Sequence, residues 1–512
     1  KKSWWRRTRE ELKGDFSSIA LLLFLYMLQG VPLGIIAAMP LMLQERGISF
    51  SEQAVFSLAY WPFSLKLLWA PIVDSLYFRA MGKRKSWLVP CQYLIGIFML
   101  VLSYEVNAVI GDPKSGIRPD VYALLMIFLP LNFLAATQDI AVDGWALTIL
   151  SRKNVGYAST CNAAGQTAGS FLGNVLFLTL ESKNFANRFR ETPLDHGFVD
   201  LAGFVFFWGC VFVVSTTLVW IFKKEVDNQA VDVESPADEE GELELGVIET
   251  YSMLWKILML RPMIWMITIY LTGKFAFAAT DGITSLRLIK MGMPKDTLAQ
   301  FGMFRTMIQI MLPWIVGSWT AGPRPLNIFL IAYPIRIMIG IALAGLIYFS
   351  TNLRVPGSKD FYMSFYIIWA VAYVIRQIGM SSMFVSSTAF NAQISDPRIG
   401  GTYMTLLNTL NNMGGNWPVT LILSITDTFT WKNCYPPIHH NSTVSSVLYS
   451  CSTEATEAQC AAAGNTCDVH IDGYYFGVAL CTVVGLIWYK LMFSKIKYIQ
   501  EIPREEWRII KQ

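Results

Sequence analysis

Apolar runs of about 20 residues, the length a helix needs to cross a bilayer, recur along the whole chain between short polar loops. They fall at 18–43, 53–75, 87–106, 121–147, 156–180 and 199–222, and after a polar break at 262–282, 298–319, 326–349, 361–387, 402–425 and 473–493. This pattern predicts an all-α membrane protein of twelve transmembrane helices in two six-helix bundles, since lipid offers no partner to an open backbone group. The halves echo each other. Leu41-x-Leu43-x-x-x-Gly47-Ile48 returns as Leu286-x-Leu288-x-x-x-Gly292-Met293, and Ser151-x-x-x-Val155-Gly156 returns as Ser395-x-x-x-Ile399-Gly400. Both repeats have nearly the same offset, which supports an old duplication with a substrate site between the halves.

Composition excludes the soluble alternative: the 512 residues are 54% hydrophobic, 14% aromatic and only 15% charged. The formal net charge of +4 then points to loops facing lipid headgroups and not to nucleic acid. The expected organisation is an N-terminal arm over 1–16, a first bundle over 17–222, an acidic linker with an amphipathic lead-in over 223–261, a second bundle over 262–494 and a tail over 495–512. Lys and Arg gather in the arm, in the loop at 79–85, at Arg152 and Lys153, and in the tail, so both termini are expected in the cytosol and the first span serves as the insertion signal. Cys434, Cys451, Cys460 and Cys467 fall with the sequon Asn441-Ser442-Thr443 in the long loop over 427–470. Paired cysteines and a glycan both suit a lumenal or extracellular loop, which agrees with the charge rule; the pairing stays open.

Charges inside spans are costly and usually kept for function. Lys66, Lys274, Arg305, Arg336 and Arg376 lie in or near the spans against three acids, Asp139, Asp143 and Asp281. Pointing inward, they would give a cavity with surplus positive charge, concentrated in the second half. Such a cavity suits an anion, because the planar fork of Arg binds two oxygens of a phosphate or carboxylate at once. Tyr60, Trp61 and Trp69 flank Lys66 and would offer flat rings to a base. Gln138, Asn408 and Asn412 complete the polar candidates, within a run over 408–416 that is more polar than packing needs. Asp139 and Asp143, four residues apart, share a helix face. They pair with Lys66, carry a coupling proton or form a gate; the preferred reading gives Asp143 the pair or gate and Asp139 the cavity. Gly165, Gly169 and Gly173 read as a face for close helix packing. All four histidines fall in loops, and no span holds a nucleophile beside a base, so no catalytic residue, metal or cofactor is expected.

Three segments carry a resemblance: Ala136-Thr137-Gln138-Asp139-Ile140-Ala141-Val142-Asp143-Gly144-Trp145, the run from Trp61-Pro62-Phe63-Ser64 through Lys66 to Trp69-Ala70-Pro71, and Gly400-Gly401-Thr402-Tyr403 on to Asn408-Thr409. They resemble the acetyl-coenzyme A transporters of the endoplasmic reticulum membrane and, more distantly, the bacterial muropeptide permeases. The resemblance implies a major facilitator fold and alternating-access import of cytosolic acetyl-CoA for lumenal acetyltransferases, by a monomer or homodimer. Asp74 and Gly82-Lys83-Arg84-Lys85 resemble the facilitator loop after the second helix, although Ala70 replaces the common glycine and the spacing is longer. In that family the aspartate faces the eleventh helix, which gives Asp74, with Arg84, a gating role. Another bulky organic anion, a nucleotide or peptide conjugate, fits the same charge pattern. A membrane-bound acyltransferase is the alternative from another class.

Overall fold

The computed structural model describes residues 14–111, 118–150, 154, 157–225, 246–320, 322–355, 361–395, 400–436, 447–452 and 454–509. The N-terminal arm over 1–13, Arg152 and Lys153, the acidic run over 226–245, the sequon, His439 and His440, and most of the Ser151 and Ser395 repeat lie outside the described residues.

Among the described residues, each of the twelve expected spans is a helix or an unbroken series of short helical pieces. Eight are long and apolar enough to cross a membrane as they stand, beginning with Phe16–Glu45, Lys85–Ile110 and Val121–Ala146. The other four are those the sequence makes irregular or polar. The second span, 50–75, breaks into Phe50–Ser57, Trp61–Leu65 and Ala70–Ser75 with 3₁₀ turns at Leu58–Tyr60 and Lys66–Leu68. Pro62 and Pro71 each remove a backbone donor there, which frees carbonyls at mid-span. The fifth, 157–181, contains a π-turn at Leu172–Leu176. The eighth, Lys295–Thr320, and the eleventh, Gly400–Thr426, are continuous but rich in polar residues.

The duplicated motif has a single local structure. Gly47 and Gly292 take φ +78° and +97°, the left-handed region glycine enters without strain. In both copies the next residue's N–H reaches back to the helix, Ile48 to the Leu43 carbonyl at 3.2 Å and Met293 to the Leu288 carbonyl at 3.0 Å. Each motif therefore ends a helix with the same glycine cap and turns the chain into the following span.

Leu28, Val31, Ile95, Phe128 and Phe212 belong to one apolar core of the first six spans, whereas Met266, Phe277, Tyr333 and Leu406 belong to a core of the last six. The first and fifth spans touch backbone to backbone through the small-residue face: a Cβ on Gly34 would lie 2.8 Å from Gly173 Cα. Ahead of the seventh span, helix Val247–Leu258 realises the amphipathic lead-in. The cysteine loop folds as an antiparallel sheet of β1 (Trp431–Tyr435), β2 (Tyr449–Ser450) and β3 (Thr466–Ile471), with β1 central. Disulfides Cys434–Cys460 and Cys451–Cys467 close it over a short helix, Glu454–Ala462.

Candidate functional site

The break in the second span delivers Lys66 into the first bundle. Lys66 is 6% exposed, and its ammonium forms a salt bridge with Asp139 Oδ2 and stands 3.9 Å from Asp143 Oδ2. Asp139 Oδ1 also accepts from Gln29 Nε2 at 2.6 Å and Gln166 Nε2 at 3.0 Å. Asp143 Oδ1 accepts from Tyr26 Oη at 2.7 Å and Asn162 Nδ2 at 2.8 Å. Four helices thus meet on two carboxylates, whose i, i+4 spacing aims both at one lysine. Two acids against one cation leave this cluster at a formal charge of −1. Against the expectation that Lys66 faces the cavity, its charge is answered twice within its own bundle and it lines neither of the two cavities that lie between the halves. Both acids pair with Lys66, Asp139 the more buried and Asp143 the more open, and neither acid lines those cavities.

The second bundle has the opposite balance. Asp281, in the broken seventh span, accepts from Arg336 through Oδ2 and from Arg376 Nη1 at 3.1 Å through Oδ1. Arg336 is 6% exposed and lies 4.0 Å over the Phe277 ring. It holds Asp281 from behind and does not line the cavity in front, another departure from its expected role. Arg376 also donates to the Thr280 carbonyl at 3.3 Å and lies 5.2 Å over Tyr373. Lys274 sits where helix Arg261–Gly273 gives way to a 3₁₀ turn, and its ammonium donates to the Asn411 carbonyl at 2.8 Å.

Two cavities lie between the halves. The larger, of about 340 Å³, has Arg305, Arg376 and Asp281 on its wall, with Tyr60, Asn174 and Trp369. The smaller, of about 320 Å³, is lined by Lys274, Asn132 and Asn412 among others. Tyr60 and Asn416 border both. Among the described residues Arg305 has no carboxylate in salt-bridge reach, and the Nε atoms of Arg305 and Arg376 are buried without an acceptor, as is Trp369 Nε1. Arg305 can offer its donors to an anion without giving up a carboxylate, whereas Arg376 already donates to Asp281 and to the Thr280 carbonyl.

Other predicted residues fall elsewhere. Trp61 Nε1 donates to Thr420 at 3.4 Å, and Trp69 Nε1 to Thr137 at 3.1 Å with its ring against Phe133, so both pack helices together. Gln138 is fully buried and lines neither cavity, and neither does Asn408. Asp74 pairs with Arg84 inside the first bundle, while Arg84 and Lys85 N–H groups bind Glu225. Tyr26, Gln29, Asn162 and Gln166 were missed by sequence reasoning. Their signal was present, as polar side chains at helical spacing on the two spans that carry the glycine face.

Polar contacts between the halves gather on the side of the disulfide-bonded loop. Ser51 N–H donates to Asp427 Oδ2 at 2.7 Å, Asn416 Nδ2 to Ser64 Oγ at 2.8 Å, and Ser57 pairs with Thr420 at 2.7 Å. Lys295, at the start of the eighth span, bridges Glu45 and Glu181 of the first bundle, each at 2.8 Å. Lys295→Met should loosen this closure by about 1 kcal/mol, a modest figure because both acids are partly solvated. Placing a cysteine at Ser285 on the cavity wall, with the free cysteines removed, should report it as roughly fivefold faster labelling by an impermeant thiol reagent from the loop side. Unchanged labelling would show that the apolar contacts alone hold the halves shut.

Comparison with known proteins places this geometry. A family model described as acetyl-coenzyme A transporter 1 matches residues 18–329 and 338–509. An uncharacterised protein of Schizosaccharomyces pombe is 33% identical over 507 residues, covering 96% of this chain and 89% of its own. Putative transporter AmpG 4 of Rickettsia conorii is 30% identical over 154 residues, 27% of this chain and 34% of its own. Among solved structures, a D-xylose–proton symporter superposes with a TM-score of 0.57 at 12% identity, covering 97% of this chain and 99% of its own. At that identity the likeness speaks for the fold alone.

Proposed function

Because the chain belongs to the acetyl-coenzyme A transporter family and has the major facilitator fold of a multi-pass transporter, not an enzyme, we propose that it carries acetyl-CoA from the cytosol into the lumen of the endoplasmic reticulum by alternating access. The observation that carries this reading is the wall of the larger cavity, which Arg305 and Arg376 both line and where Arg305 has no carboxylate in reach among the described residues. Acetyl-CoA brings a pyrophosphate and a 3′-phosphate, roughly four negative charges by ordinary phosphate ionisation, to a bundle with four intramembrane cations and one acid. The amide-lined cavity around Asn132 and Asn412 suits the long polar arm.

The direction rests on sidedness. The disulfide-bonded loop belongs in an oxidising lumen, which puts both termini in the cytosol and the inter-half contacts of Ser51, Ser57 and Lys295 at the lumenal face. In this reading the loop carries the glycan, and Asp74 leaves its Arg84 partner for the second bundle when the cytosolic side closes. Delivered acetyl-CoA supplies lumenal acetyltransferases.

The test is uptake of labelled acetyl-CoA by the purified chain in liposomes. Wild type should show saturable uptake, and Arg305→Ala and Arg376→Ala should each lower affinity by about tenfold, the loss expected for a charge-assisted contact. Wild-type vesicles that accumulate no acetyl-CoA, or substitutions that leave uptake and affinity unchanged, would refute the proposal. Cysteine-substituted loop variants should melt earlier without losing cavity affinity.

A further inference from the structure

A carboxylate on the wall of an anion-binding cavity calls for an explanation. Asp281 is that carboxylate, and its two oxygens divide their partners: Oδ2 holds Arg336, which is buried beneath Phe277, while Oδ1 holds Arg376, which faces the cavity. Two guanidinium groups thus share one acid at this end of the cavity, and Arg305 on the same wall has no carboxylate in reach among the described residues, a formal surplus of two positive charges. If Asp281 served only to neutralise, Arg336 alone would do, since it is the more buried cation and lies out of a ligand's reach. The second oxygen turned to Arg376 instead occupies a site that an incoming phosphate oxygen would fill with the same charge and the same geometry.

We propose that Asp281 is a built-in stand-in for the phosphate of the cargo. It holds the Arg376 guanidinium while the cavity is empty, yields it to a phosphate of the cargo on binding, and takes it back on release, while Arg336 keeps the carboxylate in place throughout. This rests on the reading of the cavity as a phosphate-binding site and adds how the phosphate leaves. A desolvated guanidinium without a partner is costly, so an empty site without Asp281 would hold its anion tightly and part from it slowly. Affinity gained in the bound ground state adds nothing to turnover once the site is filled, and release sets the rate of many cycles. Asp281 acts through Arg376 and is a positioning residue whose effect must appear as opposite changes in affinity and rate.

The test compares wild type, Asp281→Asn and the double variant Asp281→Asn with Arg336→Met, each as the full chain. Binding in detergent is read with inorganic pyrophosphate as the probe, and turnover with acetyl-CoA in liposomes. Asp281→Asn should bind pyrophosphate about tenfold more tightly and lower both KM and the maximal uptake rate. The double variant restores the wild-type formal charge and spares the fold an unpaired buried Arg336, and it should keep the tighter binding because the competitor for Arg376 is gone. Binding of the double variant at wild-type affinity would reduce the effect to net charge and overturn the proposal. So would weaker pyrophosphate binding by a folded Asp281→Asn chain. Wild-type pyrophosphate binding without acetyl-CoA uptake would instead refute the transport reading and leave the role of Asp281 standing on the binding arm alone.

Discussion

Lys66→Met is expected to destabilise the first bundle by about 3–5 kcal/mol, the usual cost of stripping one partner from a buried ion pair. The substitution leaves Asp139, 2% exposed, without its cation and with Asp143 beside it, so two like charges face each other where four helices meet. Gln29, Gln166, Tyr26 and Asn162 still donate to them, but neutral donors do not offset a second charge. Adding Asp139→Asn should recover most of the loss, because a single acid with two neutral donors then remains. Thermal unfolding in detergent reads both effects. The same pair of variants separates structure from binding: a Lys66 that held phosphate would, on replacement, weaken binding in a chain that melts normally. A double variant no more stable than Lys66→Met would show that the pair is not what holds the junction.

That junction also shows where sequence reading stops. An apolar run broken by one lysine and another ending in two aspartates are plain in the sequence, because charge in a span is rare. Which cation meets which acid is not, because a helix presents each residue to one of several neighbours and the linear order does not say which. Lys66 met both acids of its own half, and Arg336 turned behind Asp281 while Arg305 and Arg376 turned toward the cavity. The break at Lys66–Leu68 lies between Pro62 and Pro71, but Pro32 and Pro40 sit inside the unbroken helix Phe16–Glu45, so proline alone did not mark it, and the π-turn at Leu172–Leu176 contains neither proline nor charge. Four loop cysteines allowed three pairings, and strand register alone does not choose among them: Cys434 on β1 stands opposite Cys467 on β3, yet Cys434 bonds Cys460 and Cys467 bonds Cys451.

The two halves repeat the same glycine cap and differ in their charge. The surplus of cations belongs wholly to the second bundle, and the first contributes tyrosine, amides and an acid-rich cluster. The cluster lies across the contact of the first and fifth spans, so the fit between those helices sets the pair geometry as well as the packing.

Gly169→Ala should therefore be among the most disruptive single methyls in the described residues, with Gly414→Ala and Gly473→Ala. A Cβ built on Gly169 meets the Met27 carbonyl oxygen at 2.0 Å and Gly30 Cα at 2.8 Å, and both obstacles are backbone. No rotamer relieves such a contact, so the helices must part, which forfeits dispersion along the whole face. Gln29 and Gln166 sit beside the contact, and parting the spans pulls both from Asp139. The cost is expected to reach about 3 kcal/mol or more, the upper range for overpacking, with loss of uptake. Gly345, in helix Leu326–Phe349, has nothing within 4 Å of a built Cβ, so Gly345→Ala should instead raise stability by about 0.5–1 kcal/mol as an ordinary helix-interior change. Melting both variants in one detergent makes the comparison internal: a Gly169→Ala chain that melts with wild type would mean that the two spans do not pack on their glycines, and the placement of Tyr26 and Gln29 over the acids would fall with it.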